Sequence, residues 1–118
     1  LLCLFAVVAK SQEIVEKAPD TVKKIILTTY YAKKFEGRRT TSGERYRSSK
    51  FTAAHRTLPF GTIIKVKNLR TGKTVEVKVN DRGPFSKKFS LDISRAAAQA
   101  LGIYRLGYAR VEIAYVLR

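Results

Sequence analysis

Asp81, in VNDRGPF, and Glu44, in TSGERY, are the carboxylates placed to do chemistry in this sequence. A carboxylic acid that keeps its proton can hand it to a leaving oxygen, the central demand of glycosidic-bond cleavage. His55, in TAAHRTLPFG, is the sole histidine and a third group able to exchange a proton near neutral pH. Each also has a structural explanation. Asp81 with Asn80, Gly83 and Pro84 makes an ordinary turn, Glu44 suits a solvated loop, and His55 suits a hydrogen-bonded structural position. To act as an acid, Asp81 is expected to hold a proton. Lifting its pKa from about 3.9 to about 6 costs near 2.9 kcal/mol. Arg82, next in the chain, and a net charge of +15 oppose that shift, so burial or the like charge of Glu44 has to outweigh them.

Other chemistries have less to work with. One histidine and one cysteine, Cys3, leave too few ligands for a zinc centre, and neither a metal nor a cofactor is expected. Gly37, Gly43 and Gly61 lack the spacing of a phosphate-binding loop. No serine stands in a nucleophile-elbow context, so a Ser-His-Asp triad is discounted.

The elements that must position these groups are mostly strands. TIIKVKNLRTGKTVEVKVN alternates apolar and polar residues on both sides of Arg70-Thr71-Gly72 and predicts a β-hairpin running into Asp81. IILTTYY predicts a strand opening the ordered domain near Ile25, and YARVEIAYVL one closing it, with Val111, Ile113, Tyr115 and Leu117 on one face. SRAAAQAL predicts a short helix over 94–101, capped by Asp92 or Ser94 and stopped by Gly102. Between Lys33 and Lys50 the chain is turn-rich and carries seven basic residues against Glu36 and Glu44. Long loops of this kind carry function or move. Short strands, one small helix and long loops make an all-β chain of small-barrel type.

At 118 residues the chain is one domain with short flanks. Residues 1–9, LLCLFAVVA, read as the remnant of a signal peptide, since nine apolar residues are too few to span a bilayer. Cleavage after Ala9 would remove Cys3. Residues 10–24 read as a polar linker containing Pro19, and 25–118 as the domain. Export to the periplasm or cell envelope is expected, with outer-membrane association if the true N-terminus is lipidated. The 24 basic residues against 9 acidic ones attract polyanions: nucleic acid, anionic lipid or an acidic wall polymer. No nucleic-acid motif is present and a secretion signal argues against that partner.

TTYYAKKFEGRRTTSGERY, FTAAHRTLPFGT, VNDRGPF and LDISRAAAQALG occur in this order over some ninety residues. In these motifs the chain resembles the RlpA-like (rare lipoprotein A) family, the septal lytic transglycosylase type. The resemblance implies a six-stranded double-psi β-barrel with one or two short helices, related to expansins. It implies endolytic cleavage of peptidoglycan glycan strands between N-acetylmuramic acid and N-acetylglucosamine, leaving 1,6-anhydro ends, on strands stripped of peptides. By the same resemblance Asp81 is the acid and then the base, with Glu44 and His55 as supporting catalytic positions. Tyr31, Arg82 and Asp92 fall on substrate-binding positions, although core packing for Tyr31 and helix capping for Asp92 are equally natural. Ala32 stands where the family usually has glycine, and Lys88-Phe89 where it often has Gly-Arg. The alternative is an expansin-like module that binds or loosens wall without cleaving it. A monomer is expected.

Overall fold

A computed structural model describes residues 20–117; the signal remnant, Cys3 and all but the end of the linker lie outside the described residues. Six strands close into a barrel: β1 (Thr21–Tyr30), β2 (Thr52–Ala54), β3 (Ile63–Asn68), β4 (Thr74–Asp81), β5 (Leu91–Ile93) and β6 (Ala109–Val116). Their order around the barrel is β1-β5-β2-β4-β3-β6. Pairing is antiparallel except β1 with β5 and β2 with β4, which run parallel.

The core follows the alternation of the sequence. Ile64 and Val66 of β3, Val75, Val77 and Val79 of β4, and Val111, Ile113 and Tyr115 of β6 are buried, and Lys65, Lys67 and Glu76 between them face out. Leu91 and Ile93 on β5 add the fourth wall. Helix α1 (Arg95–Leu101) plugs one side with Ala97, Ala98 and Leu101. Ser94, not Asp92, caps it: its Oγ accepts from the Ala97 N–H at 3.2 Å. Gly102 ends it in the left-handed region at φ 80°. Asn68 ties the β3–β4 hairpin to this helix, its Nδ2 donating to the Leu101 carbonyl at 2.9 Å.

Two boundaries differ from the sequence expectation. β1 begins at Thr21 rather than Ile25, because Thr21 through Thr28 pair residue by residue with Val116 back to Ala109. The polar Lys23 and Lys24 take outward positions on a paired strand, so the linker stops short of them. Second, the 33–50 segment is ordered. A single turn of 3-10 helix (Lys33–Phe35) leads into a small hairpin bridged at Arg39 and Arg45. Tyr46, buried to 3 %, anchors it to the barrel.

At the mouth of the barrel the β2–β4 register slips. Ala53 opposes Val79, but Ala54 opposes Asp81, so Asn80 is the extra residue. Bulges of this kind re-aim side chains next to functional sites. Here the slip leaves Asn80 buried and Asp81 at the strand's open end. Gly83 follows at φ 138°, a backbone that suits glycine, and a Cβ added there would meet the Ala54 methyl at 3.9 Å.

Candidate active site

Asp81 is half-buried and both its oxygens are engaged. Oδ1 accepts from the main-chain N–H of Thr41 at 2.8 Å and of Arg82 at 2.9 Å, and Oδ2 accepts from the Tyr31 hydroxyl at 2.6 Å. Burial pushes its pKa up, but the Tyr31 hydroxyl and the N–H groups of Thr41 and Arg82 outweigh it and hold Asp81 below the usual carboxylate range. The expected proton store at Asp81 is therefore reversed. It is the fixed anion of the site, and the cause is not the neighbouring guanidinium but donors delivered by β1 and the ordered 33–50 segment.

Tyr31 is a positioning residue. Its ring stacks on Tyr46 at 4.2 Å and meets Phe35 edge-on at 5.8 Å. Burial first, and then Asp81, push the hydroxyl's pKa up, so it remains a donor. Tyr31→Phe is expected to lower kcat about 10- to 100-fold, the span of a charge-assisted hydrogen bond worth about 1.5–3 kcal/mol. The acid-side limb of its pH–rate profile should move toward neutral pH. An unshifted limb in that variant would leave the bond without a catalytic part.

A second aspartate, Asp92, lies two strands further round. Ala54 of β2 is the register partner of both Asp81 on β4 and Asp92 on β5. Two strand spacings of about 4.8 Å place the two aspartate Cα atoms about 10 Å apart. The half-buried Asp92 carboxyl has no side-chain hydrogen-bond partner among the described residues. Its pKa is pushed up to about 6, by burial first and then by the charge of Asp81, with Arg56 opposing. Two carboxyl groups driven apart in this way separate an acid from a base. Beside them opens a cavity of about 260 Å³, walled by Tyr30, Tyr31, Tyr46 and Tyr104 and lined also by Arg95. A larger concavity of about 1040 Å³ lies along β3 and β6 and contains none of the candidate residues; the smaller one is joined to Asp81 through Tyr31, which lines it and donates to the Asp81 carboxylate.

The lytic transglycolase family model matches residues 24–113. The chain belongs to this family. It is 44% identical over 107 residues to the endolytic peptidoglycan transglycosylase RlpA of Haemophilus influenzae, covering 88% of this chain and 37% of that protein. Against the same-named protein of Neisseria meningitidis serogroup B it is 47% identical over 89 residues, covering 75% and 37%. The chain thus spans about a third of the length of these curated relatives. Among solved structures it resembles the Streptomyces papain inhibitor (TM-score 0.67, 23% identity, 84% of this chain and 98% of that one). It also resembles the expansin of Clavibacter michiganensis (TM-score 0.65, 21% identity, 81% and 51%). These two share the fold, a double-psi β-barrel.

In this lytic transglycolase barrel the other candidate residues have definite places. His55 lies against Asp81, its main-chain N–H donating to the Asp81 carbonyl at 3.1 Å. Burial, then Lys24, Arg56 and Arg82, hold its pKa down. Nδ1 accepts from the N–H groups of Thr57 at 3.2 Å and Leu58 at 3.1 Å, which assigns the ring proton to Nε2. His55 is a neutral donor. Glu44 is exposed on the lip, accepting from Asn80 Nδ2 at 3.1 Å and paired with Lys78 at 3.3 Å. Asn80 first, then Lys78, lower its pKa. The like-charge push foreseen from Glu44 on Asp81 is found between Asp81 and Asp92 instead.

Arg82 is turned to the protein. Nη1 donates to the carbonyls of His55 at 3.1 Å and Leu58 at 2.7 Å, and the guanidinium lies 4.1 Å from the Phe60 ring centre. It staples the 55–60 loop, a structural task in place of the substrate contact expected from the motif. Arg82→Ala is expected to cost about 2 kcal/mol, read by calorimetry as a Tm roughly 8–16 °C lower. Three contributors escaped the sequence: the Thr41 amide, the Tyr46 ring, and Arg56, which donates to the carbonyls of Ser86 and Phe89. Only Tyr46 left a signal, as one of two aromatics, with Phe35, in a polar segment.

Proposed function

We propose that this chain is the catalytic barrel of an exported endolytic lytic transglycosylase acting on peptidoglycan glycan strands. The observation that carries the reading is the Asp81–Ala54–Asp92 row, two carboxyls whose pKa values are pushed in opposite directions, near a tyrosine-walled cavity, in a chain of this family. The names of the Haemophilus and Neisseria relatives supply the substrate class. Export rests on the apolar run at residues 1–9. The basic surface suits an acidic wall polymer and speeds encounter with it.

The chemistry divides between the two aspartates. Asp92 gives its proton to the bridging oxygen as the bond from C1 to that oxygen breaks. The C6 hydroxyl of the same sugar attacks C1, and its proton passes to Asp81, whose anion also stabilises positive charge developing at C1. The ring closes as a 1,6-anhydro sugar, and no water is consumed. His55 Nε2–H is a neutral donor to substrate, and Tyr31 and the Thr41 amide keep Asp81 in one orientation.

One observation favours a second reading, wall binding without cleavage: both Asp81 oxygens are already engaged by the protein. A mass spectrum of products from purified glycan strands separates the two. Fragments ending in anhydro sugars support the enzyme. Strands that are retained by the protein and release no soluble sugar would replace it with a binding module.

A further inference from the structure

The cavity beside Tyr31 has a composition that proton transfer between Asp81 and Asp92 does not use. Its walls are two tyrosine pairs, Tyr30 with Tyr104 at 4.9 Å and Tyr31 with Tyr46 at 4.2 Å. Protein atoms already occupy three of these hydroxyls. Tyr30 donates to the Tyr104 carbonyl at 2.7 Å, Tyr31 donates to Asp81, and Tyr46 accepts from the Arg95 N–H at 3.2 Å. What remains is the Tyr104 hydroxyl and the partly exposed rings of Tyr30, Tyr31 and Tyr104, since Tyr46 itself is buried; such ring surface suits the flat apolar side of a sugar. The volume of about 260 Å³ falls just under the roughly 300–1,000 Å³ of pockets for drug-sized ligands, so it accommodates one ring.

Three charged side chains line it: Arg95, Lys33 and Glu36. Glu36 is matched within the protein, accepting from the Ser48 N–H at 2.9 Å and meeting Arg47 at 3.7 Å. Arg95 spends one Nη2 hydrogen on Ser48 Oγ at 3.2 Å. Its other guanidinium hydrogens and the Lys33 ammonium have no partner among the described residues. The cavity therefore combines apolar walls with uncommitted cationic donors.

We propose that this cavity is a subsite for a single pyranose ring bearing a carboxylate, with Arg95 receiving the carboxylate and Lys33 reinforcing it. The assignment rests on the peptidoglycan reading and specifies which sugar sits here: the one whose lactyl ether carries an acid. A planar guanidinium recognises a carboxylate through paired hydrogen bonds, which a neutral ester cannot reproduce.

The test measures binding of soluble glycan oligomers, with lactyl acids free or methyl-esterified, to the full chain carrying Asp81→Asn so that they are not consumed. Free-acid oligomers are expected to bind about tenfold more tightly than the esters. Adding Arg95→Gln should erase that preference, and adding the exposed Lys33→Gln, which leaves the fold untouched, should reduce it. Arg95→Lys should restore part of it. Equal affinity for acid and ester, or a preference that survives Arg95→Gln and Lys33→Gln alike, would overturn the subsite while the peptidoglycan reading stands. Failure to bind either form would overturn both together.

Discussion

Asp92→Asn is expected to abolish catalysis and, at the same time, to stabilise the protein at neutral pH. Loss of a general acid lowers kcat about 10²- to 10⁴-fold. The stability effect follows from linkage. The Asp92 pKa is raised from 3.8 to about 6 in the folded barrel, so the native state binds more protons than the unfolded chain between those values. Stability contributed by this group is present at acid pH and is lost as pH rises through about 6. Above that, the ionised carboxylate costs up to about 3 kcal/mol at 1.36 kcal/mol per unit, discounted to about 1–2 for its partial exposure. The asparagine variant should therefore melt higher than the parent at pH 7.5 and with no such advantage at pH 3.5. A gain of equal size at both pH values would remove the proton from the explanation. In the parent the same proton is expected to make kcat/KM fall on the alkaline side of about pH 6, roughly tenfold per unit.

Asp81→Asn should cost a similar factor in rate with the opposite sign in stability. This carboxylate accepts three hydrogen bonds, and its pKa is lowered on folding. Its contribution is present above the unfolded pKa and is lost as pH falls through the folded one. The variant is thus less stable than the parent at neutral pH, and the difference shrinks in acid. A second readout ties the two residues together. The Asp81 charge is one cause of the raised Asp92 pKa, so removing it should lower the Asp92 titration midpoint, followed by carboxyl carbon NMR. An unmoved midpoint would show that burial alone holds the proton and that the two groups act separately.

Much of the frame was legible because alternation is a local signal. Val75, Val77 and Val79, and Val111, Ile113 and Tyr115, declared their strands, and Ser94 and Gly102 bracketed the helix. β1 was read short because Lys23 and Lys24 offer no apolar alternation; only pairing with β6 makes them strand. The motifs brought both aspartates into view, and the environments of the two push their pKa values in opposite directions. Which carboxyl is charged depends on an amide forty residues distant in sequence, at Thr41, and on how little water reaches Asp92. Neither quantity is encoded near the residue it controls. The structural partners of Arg82 were illegible for a related reason: they are carbonyls at positions 55 and 58, which sequence does not reveal.

The pairing of β1 with β6 has a geometric consequence. Thr21 faces Val116 at one pole, and Asp92 pairs with Thr29 near the other, some eight residues or about 26 Å away along the strand. The polypeptide enters and leaves the barrel at the Thr21–Val116 end, whereas the 69–73 loop follows Asn68, which pairs with Val111 toward the opposite end. Reconnecting the old ends through a spacer and opening the ring within 69–73 would therefore give a circular permutant whose new ends emerge toward the opposite pole. A cargo or tether fused to the permutant would then leave the barrel from the pole opposite the present one.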